Sequence, residues 1–361
     1  MPEPLRIAFF ASSLLSSYWN GAATYYRGIV HALARRGHRV TFYEPDAFGR
    51  QQHRDIDVPP WAEVVVYAPT EDAAAQMLEQ ARRADVVVKA SGVGVLDEFL
   101  EREVAALRAP GRTVVFWDVD APATLERLAA DPDDAFHACI PRYDLVLTYG
   151  GGPRVVEAYR RFGARDCIPV YNALDPDTHH PVPPDPRFAA DLGFLGNRLP
   201  DREARVEQFF FDAARRLPQA SFLLGGAGWD ASPPNVRRLG HVPTADHNAF
   251  NCSARLVLNV NRDSMARFGW SPPTRVFEAA GAGACLIVDA WEGIEAFLEP
   301  EKEVLVARDG EAVAAYVAAT DAAAARAIGE RARARLLAHH TYAQRALKVE
   351  HALDGRELAA A

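Results

Sequence analysis

The sequence predicts an α/β protein with two Rossmann-like, doubly wound parallel-sheet domains and a helical C-terminal tail. Three observations indicate this class. Short apolar runs alternate with helical patterns over residues 5–170, which is typical of a mostly parallel sheet. Five prolines interrupt this alternation within residues 171–188. A second strand-and-helix series follows, and an alanine- and arginine-rich series of helices is then predicted from about residue 310 to the end of the chain.

The first series predicts six strands and five helices. The strands are short and apolar, as expected when helices cover both faces of a parallel sheet. Gly37 ends the first helix, where a left-handed residue is favoured. The predicted strands are Leu5–Phe10, Val40–Tyr43, Val64–Tyr67, Val86–Lys89, Val114–Trp117 and Leu145–Thr148, and the helices span 20–36, 71–84, 95–108, 122–130 and 153–162.

The second series predicts another parallel sheet after a stiff, proline-rich linker. We expect domains at 1–172 and 189–325, a linker at 173–188, and helices at 326–361 that return toward the N-terminal domain. The predicted strands are Leu192–Leu195, Ser221–Leu224, Val236–Leu239, Leu256–Val260, Cys285–Val288 and Val304–Val306, with helices at Asp201–Leu217, 244–252, 271–281 and near 293–298.

Composition and charge restrict the class of protein. The chain has 361 residues, of which 49% are hydrophobic and 24% charged, as in an ordinary globular protein with a sizeable core. The net charge of −8 argues against bulk attraction to nucleic acid. No apolar run approaches the ~20 residues that span a bilayer, and the N-terminal residues resemble a strand more than a signal peptide. We expect a cytoplasmic protein, with peripheral membrane contact and oligomeric state left open.

The four cysteines give no sign of a metal site. They are isolated from one another, without a Cys-x-x-Cys pair or a Cys/His spacing typical of zinc. We expect reduced thiols and no bound metal. The pairs His179-His180 and His339-His340 are expected at the surface, because adjacent histidines do not readily share one metal ion.

Residues 268–288 carry the main functional signal. Ser271 is a good N-cap and Pro272 suits the first helical position. At helical spacing Ser271, Thr274, Arg275 and Glu278 share one face. A carboxylate can accept from both ribose hydroxyls, so this face predicts a nucleotide site in which Glu278 binds ribose. The alternative is a surface ion pair of Glu278 with Arg275 at i, i+3.

Arginines and small residues follow the strands of the second series. Loops at the carboxyl ends of parallel strands surround the ligand crevice of such sheets. Arg198 and Arg202 therefore predict a phosphate site, with a helix surface paired to Asp201 and Glu203 as the alternative. Arg262 and Arg275 are further candidates. The loop at Gly226 is either a ligand-contacting loop or a plain turn, and His241 and Val242 are candidates for the edge of a base pocket.

Two features of the first series are also candidates. Asn20, Gly21 and Ala22 begin a helix, whose free N–H groups favour anions; the alternative is a simple Asn N-cap. Asp118 and Asp120 follow a strand and are candidates for a general base or an acceptor contact. We do not expect this pair to hold a metal ion. Asp120 fits a helix cap better, which favours Asp118 for chemistry.

Several motifs together resemble GT-B glycosyltransferases of group 1, and in particular the spore-maturation (CgeB-like) branch. The loop and helix from Asn20 to Val40, with its Gly-His-Arg-Val ending, resemble the first loop and helix of group 1 enzymes. The motifs that resemble the CgeB-like branch are Phe116–Pro122, Asp191–Asn197 followed by Pro200–Arg202, Leu258–Asn261 and Arg275–Gly283.

The resemblance implies two domains facing a central crevice and transfer of a hexosyl or related sugar from a nucleoside-diphosphate sugar. It implies that the second domain binds the donor, that the first receives an unknown carbohydrate, lipid-linked or small-molecule acceptor, and that no metal cofactor is needed. In this family the N-terminal loop lies over the donor phosphates and the acceptor. The donor-binding candidates are Asn197, Arg198, Arg202, Gly226, His241, Val242, Ser271, Thr274, Arg275 and Glu278.

One position departs from the resembled pattern. Many retaining group 1 enzymes carry Glu-x7-Glu with the second Glu at the position of Glu278, but Trp270 stands eight residues earlier. The donor sugar and the stereochemistry are therefore open. Two alternatives to transfer are a sugar-nucleotide epimerase of the same fold and a non-catalytic nucleotide-binding scaffold.

Overall fold

The computed structural model describes residues 3–355, which divide into two compact units. Residues up to Asn172 and from Tyr342 onward form the first unit, and Ala173–Thr341 form the second. No helix within residues 3–355 is both long enough and apolar enough to cross a membrane.

The first unit is built on a seven-stranded, fully parallel sheet. The strand order is β3-β2-β1-β4-β5-β6-β7, so the order reverses between β1 and β4. Such a reversal is the point at which doubly wound sheets bind ligands. The strands are β1 Arg6–Phe10, β2 Arg39–Pro45, β3 Glu63–Tyr67, β4 Val86–Ala90, β5 Thr113–Asp118, β6 Leu145–Thr148 and β7 Cys167–Pro169.

Aromatic side chains dominate the core of the first unit. Phe9 stacks on Phe42 with ring centroids 5.5 Å apart and also contacts Trp117. Tyr25 is fully buried, accepts a hydrogen bond from Trp117 Nε1 and donates one to Val170 O. The helices of this unit are Ala23–Arg35, Glu71–Ala81, Asp97–Ala106, Ala121–Ala130, Phe136–Cys139, Gly152–Arg161 and Tyr342–Leu353.

The second unit is built on a six-stranded parallel sheet of order β10-β9-β8-β11-β12-β13. Here the order reverses between β8 and β11. The strands are β8 Ala190–Leu195, β9 Phe222–Gly225, β10 Val236–Gly240, β11 Ala254–Asn259, β12 Leu286–Asp289 and β13 Leu305–Ala307. The helices are Pro200–Val206, Asp212–Arg216, His247–Ser253, Asp263–Phe268, Thr274–Gly281, Gly310–Ala319 and Ala322–His339.

The predicted helix Asp201–Leu217 contains an insertion. A π-helical segment, Glu207–Phe211, separates its two α-helical parts. Three successive phenylalanines in this segment, Phe209 to Phe211, are all buried. Because successive residues of an α-helix point about 100° apart, the wider π turn lets the strip of apolar contact include all three.

The proline-rich segment 173–188 packs on the second unit. Asp185 N donates to Ser253 Oγ at 2.7 Å, and Asn248 Nδ2 donates to Thr178 O at 2.9 Å. These bonds tie the proline-rich segment to the helix His247–Ser253.

The C-terminal helices divide between the units. The helix Ala322–His339 lies in the second unit, whereas Tyr342–Leu353 lies in the first. In the first unit, the Arg36 guanidinium pairs with Glu350 at 2.5 Å. Gly28 is required beside Tyr342, since a Cβ at Gly28 would lie 2.2 Å from the tyrosine ring.

The predicted fold class is confirmed, with two parallel sheets covered by helices. The elements that the sequence did not predict are short: β7, Phe136–Cys139 and Asp263–Phe268. Elements of three to six residues have too few positions to show a helical or strand period.

Candidate functional site

The candidate donor site lies at the carboxyl edge of the second sheet. Its strand order reverses between β8 and β11, and polar residues follow both strands. Asn197 to Arg202 follow β8, and Asn261 and Arg262 follow β11. This is the edge at which the ligand crevice of an open α/β sheet is expected.

The helix that carries Glu278 begins three residues later than the sequence predicts. It runs from Thr274 to Gly281, and Ser271 lies outside it and donates to Gly269 O at 2.9 Å. The prediction of Ser271 as N-cap is therefore wrong. The cause is the adjacent pair Pro272-Pro273: a proline disfavours helical conformation in the residue before it, so the helix begins after Pro273. Thr274 is the first helical residue and remains beside Arg275.

Glu278 forms a buried ion pair within this helix. Its Oε2 lies 2.9 Å from Arg275 Nη1, and the residue is 6% exposed. Its Oε1 lies 3.9 Å from Nε2 of His179, which is 8% exposed. The expectation of His179 at the surface is therefore wrong, because segment 173–188 packs on the second unit. The i, i+3 pair exists, but its carboxylate is buried rather than solvated.

His247 joins this group, although the sequence did not indicate it. Arg275 Nη1 lies 3.2 Å from His247 Nδ1, and His247 Nε2 lies 3.3 Å from Val242 O. The tautomer that satisfies both contacts carries its proton on Nε2 and accepts from Arg275 at Nδ1. Burial, and then the charge of Arg275, lower the pKa of His247 to about 4. A weak sequence signal existed in the nearness of His247 to the predicted Val242 loop.

This lowered pKa predicts acid sensitivity that depends on His247. The folded-state pKa is below the ordinary value of 6.5, so the unfolded chain binds more protons between pH 6.5 and pH 4. Stability should therefore be fully present above pH 6.5 and fall as the pH decreases toward 4, by up to about 3 kcal/mol from this group. Urea unfolding at several pH values measures it. His247→Gln should reduce the loss over this interval, whereas an identical loss in that variant would contradict the assignment.

Arg202, Arg275 and Arg262 influence one another electrostatically, and we call these three guanidinium groups the Arg202 cluster. Arg202 Nη2 donates to Asn197 O, and the guanidinium carbon of Arg202 lies 5.9 Å from the Phe194 ring centroid. Burial, followed by the positive charge of Arg275 and a smaller effect of Arg262, lowers the pKa of Arg202 to about 10, against the opposite effect of Asp201. Positive charges that disturb one another in this way favour a multiply charged anion beside them, so Arg202 remains a candidate phosphate ligand.

The other arginines of this edge have carboxylate partners. Arg262 Nε donates to Asp201 at 2.5 Å, and Arg198 pairs with Glu203 at 2.8 Å on the exposed surface. The alternative of local ion pairing thus describes Arg198. In contrast, no hydrogen-bond partner of Arg202 Nε is found in the described part of the chain. Arg202 is therefore the stronger of the two predicted phosphate ligands.

The loops after β8 and β9 hold each other in place. Asn197 Oδ1 accepts from Ala227 N at 2.9 Å, and Arg198 N donates to Ala227 O at 2.9 Å. Gly226 has φ +128°, and a Cβ there would lie 2.1 Å from Gly196 O. Gly226 is needed because the neighbouring loop backbone packs directly on it.

Gly226→Ala is expected to destabilise the second unit. The added methyl group would overlap the Gly196 carbonyl in a backbone conformation that only glycine adopts readily, at a cost of about 2–4 kcal/mol. Thermal unfolding of the variant measures the effect. The control is Gly240→Ala, which also has positive φ but no atom within 4 Å of its Cβ position, and which should lose less. Equal losses would mean that backbone strain alone decides the effect.

The predicted base-pocket residues differ in exposure. His241 is exposed, whereas Val242 is 5% exposed and packs with Leu195, Leu223 and Phe250. The side chain of Val242 belongs to the core, and its carbonyl faces His247. Any contact of Val242 with a base is therefore a backbone contact.

Further polar residues at this edge were missed from sequence. Asp289, at the end of β12, accepts from Asn261 N at 3.0 Å and from Arg205 Nη2 at 2.5 Å, although it has no exposed surface. Asn261 Nδ2 and Ser264 Oγ are buried, and no hydrogen-bond partner for either is found in residues 3–355. Buried polar atoms are normally paired, so these two atoms are candidates for contact with a ligand.

In the first unit, Asp118 is a buried hydrogen-bonding hub. Its carboxylate accepts from Ser91 Oγ at 2.7 Å, Asp120 N at 3.0 Å, Thr124 Oγ1 at 3.1 Å and the Tyr159 hydroxyl. Burial raises the pKa of Asp118, against the lowering effect of the hydrogen bonds from Tyr159, Ser91 and Asp120 N. Asp118 has no exposed surface, and its hydrogen bonds connect the end of β5 to the elements that pack against it. Asp120 is partly exposed and precedes the helix Ala121–Ala130, but its side chain does not cap that helix.

The N-terminal loop is held by Asn20. Its Nδ2 donates to Ser13 O at 2.9 Å and Ser16 O at 3.0 Å, and its Oδ1 accepts from Ser12 Oγ. Asn20 therefore does not cap the helix that follows, which begins at Ala23. Gly21 is exposed, and the space around its Cβ position is open within 4 Å.

Residues 3–355 contain no group of three or more His, Cys, Asp or Glu side chains placed to hold a metal ion. The described cysteines are all free, as expected from their spacing.

A comparison with protein families finds a match over part of the chain. The family model described as "Glycosyl transferase-like" matches residues 202–351, which include Arg202, His247, Arg275 and Glu278. A comparison with curated protein sequences finds no significant match.

Solved structures are similar over nearly the whole chain. Sucrose-phosphate synthase from Thermosynechococcus elongatus is 14% identical with a TM-score of 0.73, covering 97% of this chain and 98% of its own. HepE from Anabaena, solved with UDP and glucose, is 14% identical with a TM-score of 0.68, covering 97% and 100%. An alpha-glucosyltransferase solved with UDP and DNA is 12% identical with a TM-score of 0.67, covering 98% and 100%. At these identities the likeness shows the fold, and the chain has the GT-B fold.

Proposed function

We propose that this protein is a glycosyltransferase that moves a sugar from a nucleoside-diphosphate sugar to an acceptor. The observation that carries the proposal is the Arg202 cluster at the carboxyl edge of the second sheet. Burial and neighbouring cations lower the pKa of Arg202, so a bound anion would relieve an unfavourable arrangement of charge. The match of residues 202–351 to a glycosyltransferase family supports the same conclusion.

The diphosphate is the group that this cluster would bind. In sugar transfer the bond from the anomeric carbon to the diphosphate oxygen breaks, and negative charge grows on the leaving group. Arg202 and Arg275 would stabilise that charge. This arrangement supplies the positive charge through side chains, so the proposal includes no metal ion, and activity should persist in EDTA.

Glu278 would bind the ribose. It lies one helical turn from Arg275, and a carboxylate can accept hydrogen bonds from the 2′- and 3′-hydroxyls together. In this arrangement Arg275 contacts both the carboxylate and the diphosphate. The ion pair would thus hold Glu278 in the orientation that the ribose requires.

Uridine is the first base to test. HepE was solved with UDP-glucose and the alpha-glucosyltransferase with UDP, and both share this fold. In the second unit, the backbone of Val242 and the exposed His241 are the candidates for contact with the edge of the base. Trp270 stands where many of the resembled enzymes have a Glu, so the identity of the donor sugar has to be determined by experiment.

The first unit would receive the acceptor. Asp118 is occupied by four donors, which supports a structural role for it. Asp120 is then the candidate carboxylate for contact with the acceptor hydroxyl. The backbone N–H groups at Gly21, which has open space around its Cβ position, and at Ala22 are the candidates for contact with donor phosphate or acceptor. The CgeB-like branch stays a prediction.

A ligand panel tests the proposal on the full chain. UDP, GDP, ADP, UDP-glucose, UDP-N-acetylglucosamine and GDP-mannose are compared by thermal shift, since a ligand that binds only the folded state raises its stability. Slow hydrolysis of the stabilising donor is then followed with and without EDTA. Stabilisation with release of free sugar is expected. Epimer formation would favour an epimerase, binding without turnover a scaffold, and no stabilisation by any compound would reject the proposal.

A further inference from the structure

Three large aromatic side chains of the first unit are exposed on loops. Tyr18 is 40% exposed, Trp19 67% and Phe48 55%. Tyr25 and Tyr26, from the same part of the sequence, are fully buried and belong to the core. The exposed rings therefore need an explanation other than packing.

These rings lie at the carboxyl edge of the first sheet. Trp19 and Tyr18 are on the loop after β1, and Phe48 is on the loop after β2. Phe48 also packs over the loop after β4, because a Cβ on Gly94 would lie 2.8 Å from its ring. Strands β2, β1 and β4 are neighbours, and the strand order reverses between β1 and β4. The aromatic loops thus surround the position at which such a sheet binds ligands.

The backbone holds two of the rings in an unfavourable conformation. Trp19 has φ +46° and Phe48 has φ +55°, in the left-handed region that bulky residues rarely adopt. Since neither side chain is buried, this strain is not a consequence of core packing. Strained residues of this kind are concentrated at functional sites.

The loops that carry the rings are fixed by polar contacts. The Tyr18 ring stacks on His53 at 4.0 Å with an interplanar angle of 10°. Asp55 accepts from Ser17 N at 2.9 Å and pairs with Arg27 at 2.7 Å. Arg50 lies 5.0 Å from the Phe48 ring centroid and donates to Val93 O at 3.2 Å. The rings are therefore presented by ordered loops, which lowers the entropic cost of binding.

Charge distinguishes the ligands that aromatic surfaces bind. An anionic membrane requires Lys or Arg beside the rings. The segment 46–62 around Phe48 has two arginines and three aspartates, and Arg50 is buried. A sugar ring needs no such charge, because its C–H groups lie against the electron-rich aromatic face and its hydroxyls bond to polar neighbours. Gln52 and Asp57 are exposed in the same segment and can provide these bonds.

We propose that Tyr18, Trp19 and Phe48 form a stacking platform for the sugar rings of a carbohydrate acceptor. The platform belongs to the first unit, whereas the Arg202 cluster belongs to the second. Its description as an acceptor site rests on the proposed glycosyl transfer, whereas sugar binding by the rings can be tested independently of transfer.

The test measures binding of four neutral trisaccharides, maltotriose, cellotriose, mannotriose and N,N′,N″-triacetylchitotriose, to the full chain. Intrinsic tryptophan fluorescence and calorimetry report binding, and vesicles of phosphatidylcholine and phosphatidylglycerol are titrated in parallel. The key variant is Trp19→Gly, which removes the ring and relieves the backbone strain. We expect an unchanged or higher melting temperature with at least about tenfold weaker trisaccharide binding. Tyr18→Ala should also weaken binding, and Leu347→Ala, another exposed apolar residue of this unit, should not.

Each outcome separates this proposal from the donor site. Trp19→Gly should bind UDP with the same affinity as the unchanged protein. If neither the unchanged protein nor Trp19→Gly binds UDP, the proposed function is rejected, but the proposal of the aromatic platform is unaffected. Failure of all four trisaccharides to bind, or equal binding by Trp19→Gly, would overturn the platform. Vesicle binding that depends on Trp19, without trisaccharide binding, would replace it with a membrane contact.

Discussion

Arg202→Ala is expected to reduce the affinity for UDP by about 30- to 100-fold while changing the free energy of unfolding by less than about 1 kcal/mol. A charge-assisted hydrogen bond to phosphate contributes about 2–3 kcal/mol, which corresponds to this loss of affinity. The folded protein loses the Phe194 contact but is relieved of the repulsion from Arg275 and Arg262. Calorimetric titration with UDP, together with urea unfolding, measures both quantities.

The control for this variant is Arg215→Ala. Arg215 is half-exposed and pairs with Glu207, away from the strand-order reversal of the second sheet. The substitution Arg215→Ala removes one positive charge, as Arg202→Ala does. It should leave the UDP affinity within about twofold of that of the unchanged protein at moderate salt. If both variants bind UDP as tightly as the unchanged protein, the cluster is not the diphosphate site.

Glu278→Ala is expected to reduce UDP affinity by about 100-fold and to destabilise the protein by about 1–3 kcal/mol. The affinity falls because two ribose hydroxyls lose their acceptor, and the stability falls because the partly buried Arg275 loses its ion pair. Glu278→Gln keeps the shape of the side chain and one acceptor oxygen, so its UDP affinity and its stability should lie between those of the unchanged protein and those of Glu278→Ala. Calorimetry and thermal unfolding separate the two effects. A variant that is destabilised yet binds UDP normally would assign Glu278 a structural role alone.

The regular part of the fold could be predicted because its signals are local. Buried parallel strands are short apolar runs, and Leu145–Thr148 is found with the predicted bounds. The helix start at Thr274 could not be predicted from capping preference alone, since the second proline of Pro272-Pro273 overrides the preference for Ser271 as the N-cap. The π-helical segment at Glu207–Phe211 likewise depends on how the phenylalanines pack, which is a tertiary property.

The sequence predicted several residues of the candidate site, but it predicted fewer of the contacts between them. Arg275 and Glu278 lie together because helical spacing requires it. His179 and His247 meet them only through folding of the chain, across separations of about 100 and 30 residues that no local pattern encodes. Asp118 shows the reverse case, since its position at a strand end suggested chemistry but four donors surround its carboxylate.

The most direct measurement is a calorimetric cycle with UDP and 2′,3′-dideoxy-UDP on the unchanged protein and on Glu278→Ala. The two ligands share the base and the diphosphate and differ only in the hydroxyls assigned to Glu278, so the cycle isolates that contact. The unchanged protein should prefer UDP by at least about tenfold, and Glu278→Ala should bind both ligands equally. An undiminished preference for UDP in Glu278→Ala would contradict the assignment of this helix as the ribose site.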